Sequence, residues 1–285
     1  MDLNIENLIY SSSGVGGLAY LGVNKALEEY GILKKVQNFA GSSGGGIIAG
    51  FSACRINSND LIDYVLNSNM NELMDGLNVP FGSEISFVRV QGMYKGEKLY
   101  EWVKRGYCQL LGYGSINFQD VTDMFGTTIS MTVSNITDSC VEYYSSYKTP
   151  DVELAFGSRV TSSIPVFYEP IKIDNVCYVD GGYFLSYPVN LFENKLDKTM
   201  GIKITGNVKA TFNQNESAIY MYQLLSSSSV LLNKLQGVEN SNEIKLEIPV
   251  DINIFDFSIS SKQKSCLINT GYDLTVQQIK KGLHR

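Results

Sequence analysis

Gly41-Ser42-Ser43-Gly44-Gly45 is a G-x-S-x-G pentapeptide between a short apolar strand and an apolar helix, in a chain whose one histidine, His284, is the penultimate residue. Such a pentapeptide suits a nucleophile elbow: the serine sits on a strained strand-to-helix turn, and small neighbours are needed because backbone passes close on both sides. Alone, the pattern also arises in plain Gly/Ser loops, so its placement at a strand-to-helix junction is what favours Ser43 as a nucleophile. A serine hydroxyl needs a base within about 3 Å to react at neutral pH. His284 lies where chain ends fray, so a carboxylate is expected to take the role. Asp180 is the best candidate. It ends the apolar run Val176-Cys177-Tyr178-Val179 and precedes Gly181-Gly182, which permit a sharp turn, although a D-G pair alone is also an ordinary turn. The third cluster is Ser12-Ser13-Gly14-Val15-Gly16-Gly17, a small-residue turn whose backbone amides suit an anion, either a phosphate or a developing oxyanion. A nucleotide site is the weaker reading, because no Walker lysine follows and Ser12 stands where the dinucleotide fingerprint has its first glycine.

These groups must be carried by strands that end where helices begin. Leu8 to Gly14 reads as a strand entering a turn, followed by Leu18, Leu21, Val23, Ala26 and Leu27 at helical spacing and a stop at Gly31. Val36 to Ser42 is the second strand and Gly44 to Cys54 the second helix, an alternation that implies parallel pairing with helices packed on the sheet. A helix capped at Ser58-Asn59-Asp60, an irregular flap over Leu77 to Met93 and an amphipathic helix from Gly96 to Gly112 follow. Strands are expected at Thr127 to Val133, Cys140 to Ser145, Val176 to Val179, Met200 to Thr205 and Glu243 to Ile248. Helices are expected over Val152 to Thr161, Glu216 to Leu235, and Ser260 to Lys281 with a glycine break. Ser226 to Ser229 weaken the long helix, because serine competes for local backbone bonds.

The 285 residues are 44% hydrophobic, enough for one large core, and a single domain over 1–285 is expected. The 23 basic and 29 acidic residues leave a net charge of −6, which gives no electrostatic reason to expect nucleic acid. Five cysteines, Cys54, Cys108, Cys140, Cys177 and Cys266, are scattered without C-x-x-C spacing, and read as reduced core residues of an intracellular protein. No metal-ligand constellation is visible, so neither metal nor cofactor is expected. The N-terminus lacks a secretory pattern, and no run approaches the roughly 20 apolar residues of a spanning helix. A cytoplasmic protein, peripheral on membranes where it meets substrate, is expected.

With the three clusters in this order, the chain resembles the patatin-like phospholipase family, whose pattern is a glycine-rich oxyanion turn, a G-x-S-x-G elbow and a D-G-G or D-G-A aspartate. Gly17 to Val23, Tyr94 to Leu99, Ala155 to Phe167 and Tyr178 to Gly182 with Tyr187-Pro188 also look like family blocks, and the likeness covers about residues 7–205. The resemblance implies a three-layer α/β/α fold with a mainly parallel central sheet and a Ser43–Asp180 dyad. It also implies an oxyanion hole from the amides of Ser13, Gly14 and Gly44, and hydrolysis of fatty-acyl esters in phospholipid or other acyl lipid at a membrane or micelle surface. Ser12 and Ser13 replace the turn's first two glycines, and Gly16 replaces its usual Arg or Lys. The alternatives are a noncatalytic lipid-binding or regulatory protein of the same fold, and a soluble esterase of small esters. The apolar segment Leu77 to Val90, with Pro80, Phe81, Ile85 and Phe87, is the expected transient lipid contact, and burial of these residues in the core is an equally weighted reading.

Overall fold

Strands β1 (Asn7–Tyr10) and β2 (Asn38–Ser42) form the buried centre of an eight-stranded sheet. Their side chains alternate between two cores, as period-2 geometry requires. Leu8, Tyr10 and Phe39 join the main core, whereas Ile9 and Ala40 face the other way against Val189, Tyr187, Leu191, Phe192 and Leu196. Burying each large aliphatic or aromatic side chain is worth about 1.5–3 kcal/mol, so a sheet covered on both faces holds these strands firmly. The computed structural model describes residues 4–75, 91–205, 216–235, 240, 242–248 and 256–281.

The remaining strands are β3 (Gly92–Tyr94), β4 (Thr128–Asn135), β5 (Cys140–Ser145), β6 (Val166–Tyr168), β7 (Ile171–Ile173), β8 (Val176–Asp180), β9 (Thr199–Thr205) and β10 (Glu243–Glu247). The sheet runs β10-β9-β1-β2-β4-β8-β7, with β5 also on β4. Pairing is parallel from β10 through β4 and antiparallel at β5, β8 and β7, while β3 and β6 form a separate parallel pair. Helices α1 (Leu18–Glu29), α2 (Gly44–Ala53), α3 (Ser58–Asn67), α4 (Glu97–Leu111), α5 (Phe118–Phe125), α6 (Leu154–Thr161), α7 (Glu216–Leu235) and α8 (Ser261–Lys281) complete the mixed α/β fold, with helices on both sides of the mainly parallel sheet.

One pairing detail positions the chemistry. Strand β4 pairs with β5 along Ser130–Asn135, so β2, paired with Thr128–Thr132, and β8, paired with Val133–Asn135, share its opposite edge. Strand β2 is parallel to β4 and β8 antiparallel, so the two run head to head: Ser42 is level with Thr132 and Asp180 with Val133. The residues at the two strand ends meet there.

Several expectations need correction. Helix α8 runs unbroken through Gly271; that glycine serves close packing, since a Cβ there would lie 1.9 Å from Ala19 O, and one on Gly22 of α1 1.8 Å from Ile268 O. The cap of α3 is Asn57, whose Oδ1 accepts the amides of Asn59 and Asp60. Helix α5, with Asn117 and Asp120 in a reciprocal capping box, was legible as N-x-x-D but not expected. Of the five cysteines only Cys54 is core, whereas Cys108, Cys140 and Cys266 are exposed and Cys177 is half-buried. The serine run does not break α7: Ser226, Ser227 and Ser228 donate back to the carbonyls of Gln223 and Leu224. The expected lipid-contact segment 77–90 and His284 lie outside the described residues.

Candidate active site

Ser43 follows β2 directly and begins α2 with φ 55° and ψ −131°, a backbone conformation that an L-residue adopts only under constraint, at about 1–3 kcal/mol. The constraint is visible in the glycines of the pentapeptide. A Cβ on Gly41 would lie 2.4 Å from Gly45 O, and one on Gly45 would lie 2.3 Å from Ser11 O. The amide of Ser43 is tied down by Thr161, whose Oγ1 accepts from Ser43 N at 3.0 Å and donates to Thr132 O at 2.6 Å. Thr161 lies in one of the family-like blocks but was not singled out from sequence; nothing in a lone threonine near a helix end marks it.

Asp180 stands at the head-on end of β8. Ser43 Oγ donates to Asp180 Oδ2 at 2.5 Å, while Asp180 Oδ1 accepts from Gly182 N at 2.7 Å. Ser134 Oγ donates to Asp180 O at 2.9 Å, which fixes the main chain beneath the carboxyl. Both residues are buried, with 4% of Ser43 and 5% of Asp180 exposed. Burial is therefore the dominant influence on the acid: loss of water pushes the Asp180 carboxyl up from 3.8 to about 7, against the lowering effect of the bonds from Ser43 and Gly182. A carboxylate with that affinity for a proton has the basicity of an imidazole.

The amide turn packs on the elbow. A Cβ on Gly44 would lie 2.8 Å from both Gly14 O and Ser13 Oγ, so the start of α2 and the turn Gly14–Gly17 are in backbone contact. Gly14 has φ 51° and is the turn residue that needs glycine; Ser13 has φ −150° and neither Ser12 nor Ser13 has positive φ, so serine fits at both replaced positions. The amide of Ser12 donates to Ser186 O at 2.8 Å. The amides of Ser13, Gly14 and Gly44 donate to no acceptor among the described residues, which leaves three N–H groups where the turn packs on the elbow. Beneath the turn, the buried Tyr20 hydroxyl donates to Ser11 O at 3.0 Å and contacts Ser11 Oγ at 2.9 Å. Among the described residues no three His, Cys, Asp or Glu side chains are grouped to hold a metal ion.

A serine on a strand-to-helix elbow, an aspartate bonded to it and a mainly parallel sheet define an α/β protein of the hydrolase kind. The chain belongs to the patatin-like phospholipase family, whose profile matches residues 8–192. Among curated proteins it is 24% identical to the uncharacterized protein R571 of Acanthamoeba polyphaga mimivirus, over 96% of this chain and 94% of that one. It is 23% identical to the probable lipid hydrolase 463L of Invertebrate iridescent virus 6, over 80% of this chain and 77% of that one. Among solved structures, VipD from Legionella pneumophila shares the fold with a TM-score of 0.67 at 16% identity, over 98% of this chain and 67% of that one.

Proposed function

We propose that the protein is a lipid acyl hydrolase of the phospholipase A or lysophospholipase type, acting through a Ser43 acyl-enzyme with Asp180 as base. The observation that carries this reading is the 2.5 Å bond between Ser43 Oγ and a buried carboxylate whose proton affinity is raised to about 7. Asp180 takes the Ser43 proton as Oγ attacks the acyl carbonyl, and the amides of Ser13, Gly14 and Gly44 receive the negative charge that forms on the carbonyl oxygen. Asp180 then returns the proton to the departing alkoxide, which releases the lyso-lipid or alcohol. In the second half Asp180 takes a proton from water, whose hydroxide attacks the acyl-enzyme, and the fatty acid leaves as Ser43 regains its proton. A strained nucleophile and a charge-averse carboxyl both cost stability, which argues against the noncatalytic alternative.

Helix α7 favours aggregated lipid over a small soluble ester. Its polar residues Ser229 and Asn233 and the half-buried Tyr222 turn toward the Asp180 turn, where burial and then the Asp180 charge push the Tyr222 phenol up. Tyr220, Leu224, Leu231 and Leu235, on the opposite face by helical spacing, are each at least half exposed. Residues 217–233 carry no charge. An uncharged face that sets these four apolar side chains among the exposed Ser227 and Ser228 beside the site suits shallow contact with a lipid surface; among the described residues no helix is long and apolar enough to cross a membrane. The test is fatty-acid release from phospholipid, lysophospholipid and triacylglycerol dispersions, with a monomeric p-nitrophenyl ester alongside. Wild type is expected to release fatty acid from the dispersions and Ser43→Ala none; turnover of the monomeric ester alone would overturn the lipid assignment.

A further inference from the structure

Asn233 lies on α7, beyond the residues 8–192 that match the family profile. Its side chain holds the segment that follows Asp180 at both ends. Asn233 Nδ2 donates to Gly182 O at 3.2 Å, and Asn233 Oδ1 accepts from Ser186 N at 2.5 Å. Ser229, one turn earlier, adds a bond from its Oγ to the same Gly182 O at 3.0 Å, and Asn233 Nδ2 is steadied on Ser229 O at 2.8 Å.

The two residues held are the ones that touch the two halves of the site. Gly182 N donates to Asp180 Oδ1 at 2.7 Å. Ser186 O accepts from Ser12 N at 2.8 Å and from Ser12 Oγ at 3.4 Å, immediately before the free amides of Ser13 and Gly14. One carboxamide thus spans from the base to the oxyanion turn through Gly182 on one side and Ser186 on the other. The task needs a donor and an acceptor on one short side chain, which asparagine has and neither alanine nor an ionised aspartate provides. The serine at position 12 belongs to the same device, since its hydroxyl reaches Ser186 O where a glycine would not.

We infer that Asn233 is a positioning residue for hydrolysis, setting the Asp180 carboxylate and the Ser13-Gly14 amides relative to one another through the Gly182–Ser186 segment. The inference rests on the hydrolase reading above. Loosening the segment displaces the reacting groups in the transition state more than it weakens ground-state binding, so kcat falls while KM holds. A loosened Gly182 amide also stabilises the carboxylate less, so the Asp180 proton is lost at higher pH. Among the described residues Tyr222 is the other titratable group bearing on Asp180, and it is unchanged in every variant below.

The test is steady-state hydrolysis of a monomeric p-nitrophenyl ester from about pH 5 to about pH 9 by wild type, Asn233→Ala, Asn233→Asp, Ser229→Ala and the control Ser226→Ala, whose hydroxyl donates within its own helix to Gln223 O. For Asn233→Ala and Asn233→Asp the expected kcat loss is on the order of tenfold to a hundredfold, with KM within about twofold and the acidic limb of kcat/KM moved to higher pH. Ser229→Ala is expected to move both in the same direction by less, and Ser226→Ala to match wild type. Folded Asn233 variants with the wild-type kcat and limb, or with lowered thermal stability and an unmoved limb, would overturn the inference. If both Asn233 variants fail to fold, Ser229→Ala decides, and an unchanged limb there overturns it. A wild type that turns over neither this ester nor the lipid dispersions removes the hydrolase reading itself, one active only on dispersions has the same variants compared there, and an active wild type with indifferent variants removes only the positioning role.

Discussion

Asp180→Asn is expected to abolish turnover and to make the protein progressively more stable than wild type as pH rises. The folded chain holds the Asp180 proton up to about 7, whereas the unfolded chain releases it near the ordinary 3.8. Well below 3.8 both states are protonated and the wild type carries no penalty. Between 3.8 and about 7 the unfolded chain ionises first, so wild-type stability falls with rising pH across that window and levels off above it. Each pH unit in the window is worth about 1.4 kcal/mol, so passing from about pH 5 to about pH 8 removes roughly 2–3 kcal/mol from wild type that the asparagine variant keeps. Asparagine fits the site: its Oδ1 can accept from Gly182 N and its Nδ2 can donate to Ser43 Oγ, the two partners Asp180 has. Urea unfolding of both proteins across this range, read by the single buried Trp102, measures the difference, and all other titrations cancel between them. A stability difference that stays flat with pH, or that turns against asparagine as pH rises, would refute the reasoning. In the same window wild-type kcat/KM is expected to fall about tenfold per pH unit below about 7.

Thr161→Val keeps the volume but leaves the Ser43 amide without its acceptor and Thr132 O without its donor; a loss of about 1–3 kcal/mol in urea unfolding and a fall in kcat are expected. Gly45→Ala drives a Cβ to 2.3 Å from Ser11 O, which is backbone and cannot swing away, so a loss of at least about 1–3 kcal/mol is expected where Gly114→Ala, with no neighbour within 4 Å, is neutral; thermal denaturation compares them. The double change Leu224→Glu, Leu231→Glu places charge on the exposed face of α7. Vesicle co-sedimentation and fatty-acid release from phospholipid vesicles are expected to drop, with monomeric ester turnover unchanged.

The residues that meet at the site are more legible in the sequence than their supports. Gly41, Ser43 and Gly45 sit in one contiguous run whose spacing encodes the turn, and Asp180 is flagged by the change from an apolar strand to two glycines. The strand–helix alternation around them reported the parallel centre of the sheet, because a helix between two strands returns the chain to pair in the same direction. What the sequence did not reveal depends on residues far apart in the chain. Thr161 reaches the Ser43 amide 118 residues away and Asn233 reaches backbone groups 47 and 51 residues away, and no local pattern marks either. The head-on meeting of β2 and β8 on one edge of β4 is a matter of register, which composition does not carry. Gly271 was misread because glycine weakens a helix by propensity, whereas here tertiary packing against Ala19 decides.

The central claim is that Ser43 is a nucleophile activated by Asp180 with no histidine. It is tested most directly by a fluorophosphonate probe followed by peptide mass mapping of wild type, Ser43→Ala and Asp180→Asn, all folded. The expected result is a single adduct on Ser43 in wild type, lost in Ser43→Ala and strongly slowed in Asp180→Asn. An adduct on another residue, or labelling of Asp180→Asn at the wild-type rate, would contradict it.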